Sequence, residues 1–157
     1  MDKLIVAKFG GSAIGVDGEG LPVILDRIRS LKSDSKVMAV CSAPLTMVEG
    51  EKISLTDVML NLGNNAANGN EVTMEIIEQS YSKILEMVSE KYKLECKEII
   101  DEMLGLAAKS LTCAHIEGKF EDELRAKTLA YSGEVLMSHV LNYILRSNDI
   151  MSDSITL

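Results

Sequence analysis

The stretch that most limits what this chain can fold into is Lys3-Leu4-Ile5-Val6-Ala7-Lys8-Phe9-Gly10-Gly11-Ser12. Leu4 to Ala7 form an apolar run in which Ile5 and Val6 are β-branched. Such a run reads as a strand buried on both faces, as in a parallel sheet covered by helices. Gly10 and Gly11 end it with a turn that residues lacking a Cβ take cheaply. Backbone N–H groups there can approach an anion closely, and Lys8 sets a cation beside them. The alternative is a strand followed by a flexible glycine loop. Spacing alone leaves both open, because Lys-x-Gly-Gly-Ser is neither the P-loop nor the dinucleotide-binding pattern.

A second apolar strand is expected at Lys36 to Cys41, and between the two lies a helix opening at Leu21-Pro22. Val23, Ile24, Ile28 and Leu31 would form its buried stripe. Strand, helix and strand make a βαβ unit, hence a parallel pair. Gly15 to Gly20 reads as a solvated connector, with a part in an anion site as the alternative. Asn64 to Asn70 reads as a loop. Val72, Ile76, Ile77, Tyr81, Ile84, Leu85 and Val88, then Ile99, Ile100, Met103, Leu104, Ala107 and Leu111, recur at helical spacing and predict a helical hairpin inserted over about residues 70–115. A last helical region runs from Phe120 to Arg146. Gly133 inside it marks a helix start or a close approach, with Ser132 as cap and Glu134 in the first turn. A third β-like stretch is expected from Asp149 to Leu157.

Size and charge narrow the function. At 157 residues the chain is one domain's worth and can bury a core without staples. Aromatics are only 4%, with nine Met and no Trp, so that core is aliphatic. The net charge of −8 argues against a nucleic-acid partner, which wants a basic face. It also means that an anionic ligand must be met by a few local donors. Cys41, Cys96 and Cys113 lack metal-site spacing and read as free thiols in a reducing compartment. His139 reads as a partly buried, satisfied histidine. No apolar run reaches membrane length and no leader pattern opens the chain, so the expectation is a soluble, cytoplasmic protein with no membrane partner.

Three segments carry a resemblance: Lys8-Phe9-Gly10-Gly11-Ser12 closing the first strand, Ser42-Ala43 after the second, and Gly133-Glu134-Val135-Leu136-Met137-Ser138 running on to Arg146 and Asp149-Ile150. In this order they resemble the N-terminal part of an aspartate kinase, a member of the amino acid kinase family. That family usually reads Lys-Phe-Gly-Gly-Thr-Ser, so here Ser12 replaces the threonine and Ala13 the serine. Thr56-Asp57 is similar to a further family element, displaced by an acidic insertion after Pro44. The resemblance implies an α/β fold: a three-layer α/β/α sandwich with a mainly parallel sheet, incomplete at the C-terminus. Residues 1–157 would be the front of the catalytic domain, with the nucleotide-binding half and regulatory domains absent.

The resemblance also implies a reaction, the transfer of a phosphoryl group from Mg-ATP to the β-carboxylate of L-aspartate, giving 4-phospho-L-aspartate and ADP. This is the first step towards lysine, threonine and methionine. Lys8 would neutralise charge on the transferring group, and Gly10, Gly11 and Ser12 would hold phosphate oxygens of ATP. Ser42 and Thr56 would donate hydrogen bonds to substrate carboxylate or phosphate, and Glu134 would take the α-ammonium. Mg2+ has only an incomplete site in this chain. Alone, the chain would bind ligand weakly and catalyse poorly. A homo-oligomer, a dimer above all, is the expected assembly. Two other readings stay open: a glutamate, carbamate, acetylglutamate or uridylate kinase of the same family, and a non-catalytic short paralogue acting as a binding or assembly partner. Phe9 and Gly133-Glu134 favour the aspartate enzyme.

Overall fold

The computed structural model describes residues 3–155. Strand β1 (Leu4–Phe9) pairs in parallel with β2 (Lys36–Cys41), in a register that sets Leu4 beside Lys36 and Phe9 beside Cys41. The connection between them carries a four-residue turn of helix, α1 (Gly11–Ile14), and then α2 (Leu21–Lys32). A hairpin follows, β3 (Leu45–Val48) antiparallel to β4 (Glu51–Ser54). The rest is helical: α3 (Leu55–Ala67), α4 (Glu75–Leu85), the 28-residue α5 (Glu90–Glu117), α6 (Asp122–Ser132) and α7 (Glu134–Ser147). None of the described helices is long and apolar enough to cross a membrane.

The parallel pair alternates. Ala7, Phe9, Ala39 and Cys41 pack into the helical core, where α2 and α7 lie against β2. On the other face Leu4 is 60% exposed, Val6 63%, Met38 43% and Val40 44%. Burial on both faces is therefore met on one side only, and the third layer of the expected sandwich is not among the described residues. Helix α7 is the centre of the core. Leu136, Met137, Val140 and Ile144 are fully buried, each contributing about 1.5–3 kcal/mol of hydrophobic stabilisation against an extended chain. Around it α5 lays down Cys96, Ile100, Met103, Leu104, Ala107 and Leu111 at three- and four-residue steps. Gly118, in the left-handed region at φ 65°, ends α5 by returning its N–H to Ala114 O.

Several expectations are corrected. Val23 points to solvent, 73% exposed, and the buried face of α2 is Leu21, Ile24, Leu25 and Ile28. Asn64 to Ala67 are the last turn of α3, so the loop begins only at Asn68. The acidic insertion folds as the β3–β4 hairpin, turning at Glu49 and Gly50 with φ of 51° and 87°, the pair of positive angles a two-residue hairpin favours. Residues 151–155 form no strand; Thr156 and Leu157 lie outside the described residues.

Gly15 to Gly20 is no solvated connector. Gly15 and Gly18 are buried, and the segment bridges onto β3, with Asp17 N–H donating to Leu45 O at 2.8 Å and Leu45 N–H to Gly15 O at 3.1 Å. The Asp17 carboxylate, 14% exposed, pairs with Lys83 of α4 at 2.6 Å. Burial pushes that carboxyl up, but the hydrogen bond from Lys83, the Lys83 charge and the nearby Ser80 and Thr46 hydroxyls outweigh it, and the net shift is below the usual 3.8. A depressed carboxylate stabilises the fold above its unfolded pKa and stops doing so as pH falls through the folded value. The stability gap between the wild type and Asp17→Asn should therefore hold steady above about pH 5 and shrink as pH falls below 3.8. Urea unfolding over that range reads it directly.

Candidate active site

The carboxyl ends of β1 and β2 lie side by side, the place where ligands gather in open α/β sheets. After Phe9 the chain turns at Gly10 and Gly11. A Cβ built on Gly10 would meet nothing within 4 Å, so the fold itself leaves space there. A Cβ on Gly11 would stand 3.0 Å from Ala43 O, so the two strand-end turns touch backbone to backbone. The N–H groups of Ala13 and Ile14 both donate to Gly10 O. Those of Gly11 and Ser12 find no carbonyl among the described residues. Ser12 is exposed on α1. Lys8 is exposed on the open face of the sheet, opposite Val40, and forms no ion pair among the described residues.

At the end of β2, Ser42 N–H donates to Phe9 O at 3.0 Å, extending the ladder by one bond. Its half-buried hydroxyl has no partner among the described residues. Thr56, in the first turn of α3, is partly committed: its hydroxyl shares a 2.7 Å hydrogen bond with Ser54 Oγ, which also caps the helix by accepting from Thr56 N–H at 3.3 Å.

The last helical region is two helices, α6 and α7, broken at Gly133. A Cβ there would lie 2.6 Å from Thr56 Cγ2, 2.8 Å from Leu129 O and 3.4 Å from Ala43 Cβ. The break is a close approach, and it brings the front of α7 to the ends of the strands. Ser132 is not the cap; its hydroxyl turns back to Thr128 O at 2.9 Å, and Gly133 takes the capping position. Glu134, the first residue of α7, is exposed and unpaired among the described residues. It stands close enough to Cys41 to be felt there: burial pushes the Cys41 thiol up to about 11, and the Glu134 charge adds to the rise.

The structure thus gathers Gly11, Ser42, Ala43, Thr56, Gly133 and Glu134 around two strand ends, with Lys8 emerging from the opposite face of the same sheet. The arrangement offers donors for an anion and one free carboxylate for a cation. A model of the amino acid kinase family matches residues 3–157. The chain belongs to the amino acid kinase family.

Among solved structures, aspartokinase III of E. coli in complex with lysine and aspartate (T-state) matches with a TM-score of 0.62 and 21% sequence identity. The match covers 96% of this chain and 30% of that one, so this chain spans less than a third of that neighbour's length. At this identity the likeness speaks for the fold. No curated protein matches the chain.

Two further residues shape these strand ends. Ala43, which with Ser42 makes one of the segments that carry the resemblance, is the contact of both glycine segments and only 2% exposed. Tyr81 looked like one more core residue of a helical stripe, yet its hydroxyl donates to Ser132 O and Gly133 O, both at 3.1 Å. The signal for it was a phenol among aliphatics on a buried face, since a buried Tyr hydroxyl finds a partner.

The two glycines should separate cleanly. Gly10→Ala, built into open space, should change folding stability by no more than about 0.5 kcal/mol. Gly133→Ala, pressed on Thr56 and Leu129, should cost about 1–3 kcal/mol. Thermal or urea unfolding of both variants tests this.

Proposed function

We propose that this chain is the amino-acid-binding part of an aspartate kinase, whose complete form transfers the γ-phosphoryl group of Mg-ATP to the β-carboxylate of L-aspartate. The observation that carries the reading is Glu134, a carboxylate without an ion-pair partner among the described residues, held at the strand ends beside donors suited to an anion. In a protein of net charge −8, an exposed acid at an anion site is useful only towards a cation. An α-amino acid supplies one, with its carboxylates left for the donors.

Each residue then has a physical task. Glu134 takes the α-ammonium in a charge-assisted hydrogen bond. The Ser42 hydroxyl, without another partner among the described residues, donates to a substrate carboxylate, and Thr56 does so while still bonded to Ser54. The N–H groups of Gly11 and Ser12, without acceptors among the described residues, suit phosphate oxygens, and the open space over Gly10 admits them. Lys8 neutralises charge on the transferring group; phosphoryl transfer needs such positioning and charge balance more than covalent help. ATP supplies the phosphoryl group when bound. No group of three or more His, Cys, Asp or Glu among the described residues could hold a metal ion, so no step is assigned to Mg2+ here. On this reading the nucleotide half lies outside the chain.

Glu134 also sorts the acceptors within the family. A free α-ammonium suits it, as in aspartate or glutamate. An acylated amine, a carbamate or a uridylate gives it nothing to bind.

NMR titration of the chain tests this. L-aspartate should shift the amides of Gly133 to Leu136 and of Ser42, and N-acetyl-L-aspartate should not. Glu134→Gln should weaken L-aspartate binding by about 10- to 100-fold, the value of a hydrogen bond to a charged group. Equal binding of the acetylated compound would overturn the ammonium assignment. Aspartyl hydroxamate formation by the chain with Mg-ATP and hydroxylamine should stay at the blank, and rapid formation would show that the nucleotide site is already here.

A further inference from the structure

A carboxylate on the first residue of a helix is only as well placed as the turn that carries it. The turn before α7 has little holding power of its own: Gly133 has no side chain, and neither it nor Ser132 caps the helix through a side chain. Its position is set from outside. Thr56 Cγ2 and Ala43 Cβ close one side, as the spacing around Gly133 shows. From the helical insertion, Tyr81 of α4 closes the other. Its ring is fully buried, and its hydroxyl sits 3.1 Å from each of two consecutive carbonyl oxygens, Ser132 O and Gly133 O. Gly133 O also accepts the first-turn bond of α7, from Met137 N–H at 2.9 Å.

We propose that Tyr81 is a positioning residue for Glu134: by holding the carbonyls of Ser132 and Gly133, it fixes the direction in which α7 leaves the strand ends and so where the Glu134 carboxylate stands. The inference rests on the reading of Glu134 as the group that receives the substrate's ammonium. It gives the helical insertion a task at the site, since α4 otherwise touches the strand ends nowhere through a side-chain hydrogen bond among the described residues. A single hydroxyl proton shared between two oxygens also makes the anchor directional, because rotating α7 away would lengthen both contacts together. Burial drives the phenol well above its ordinary pKa of 10.0, with the nearby Cys41 adding to the rise, so the donor keeps its proton throughout the physiological range.

The test uses Tyr81→Phe, which keeps the ring and removes only the hydroxyl. Ile77→Val, which trims a fully buried side chain on the same helix that can hydrogen-bond neither carbonyl, is the control for a general loss of packing. Two measurements are made on each: amide exchange across the first turn of α7, and NMR titration with L-aspartate. In Tyr81→Phe, exchange at Met137 should quicken severalfold relative to α5, and L-aspartate affinity should fall about three- to tenfold, the range for one neutral hydrogen bond. In the Glu134→Gln background the same substitution should cause little further loss, because the two residues act through one contact.

Ile77→Val should leave the titration unchanged. An equal drop in that control, or full additivity with Glu134→Gln, would overturn the proposal in favour of a purely structural Tyr81. So would unchanged exchange at Met137. If the wild-type chain shows no response to L-aspartate, the substrate reading fails by itself, and exchange alone then decides whether Tyr81 holds the turn.

Discussion

Three segments far apart in sequence meet at Ala43, and the arrangement depends on their having almost no side chain there. Gly11 approaches its carbonyl oxygen, and Gly133 approaches its methyl group. A larger residue at any of these three points would push a strand end away from a helix start. Donors and acceptors cannot be brought to within one ligand's length of each other if bulky side chains stand between the backbones that carry them. The fold meets this by spending its small residues at the junction and placing its bulk, from α5 and α7, one layer below.

Much of this was readable in the sequence, and the reason is local. Lys36 to Cys41 is a strand with the expected bounds, because a short apolar run rich in β-branched residues and closed by a turn has few other solutions. The stripes of α5 and α7 follow from their own periodicity, and so does that of α4 except for Ile76, which turns outward and is 39% exposed. What stayed hidden depends on partners that sequence does not show. Asn64 and Asn65 have poor helix propensity, but the end of α3 rests on Phe120, whose ring lies where a Cβ of Gly63 would be, and tertiary packing overrides a preference of a few tenths of a kcal/mol per residue. The β3–β4 hairpin turns at Glu49, a residue seldom chosen for a positive φ, so its turn signal was weak.

The site was legible in part, and for a similar reason. Gly10-Gly11 and Gly133-Glu134 announce themselves because glycine in an apolar context asks for a cause. Glu134 could be placed in a first turn, but not beside Cys41, since that neighbourhood exists only when α7 crosses the end of β2. Thr56 could be named as a donor, but not seen to share its hydroxyl with Ser54. Tyr81 could not be singled out at all. Its stripe position is explained by burial alone, and the carbonyls it serves lie 51 and 52 residues later.

Charge placement completes the picture. Lys8 and Glu134 are both exposed and both without ion-pair partners among the described residues, yet they do not pair with each other. The sheet accounts for this: Lys8 leaves β1 on the open face, while Glu134 arrives on a helix packed against the covered face. Opposite charges on one small domain lower the energy by meeting unless the backbone holds them apart. Here two strands and a buried helix do so, and the separation preserves a polarity across the strand ends, cationic on one side and anionic on the other. A ligand with an ammonium at one end and developing phosphoryl charge at the other would match that polarity lengthwise. The domain can keep both charges unpaired because each is exposed and remains in contact with water. The cost of leaving them so is small beside that of burying either one alone.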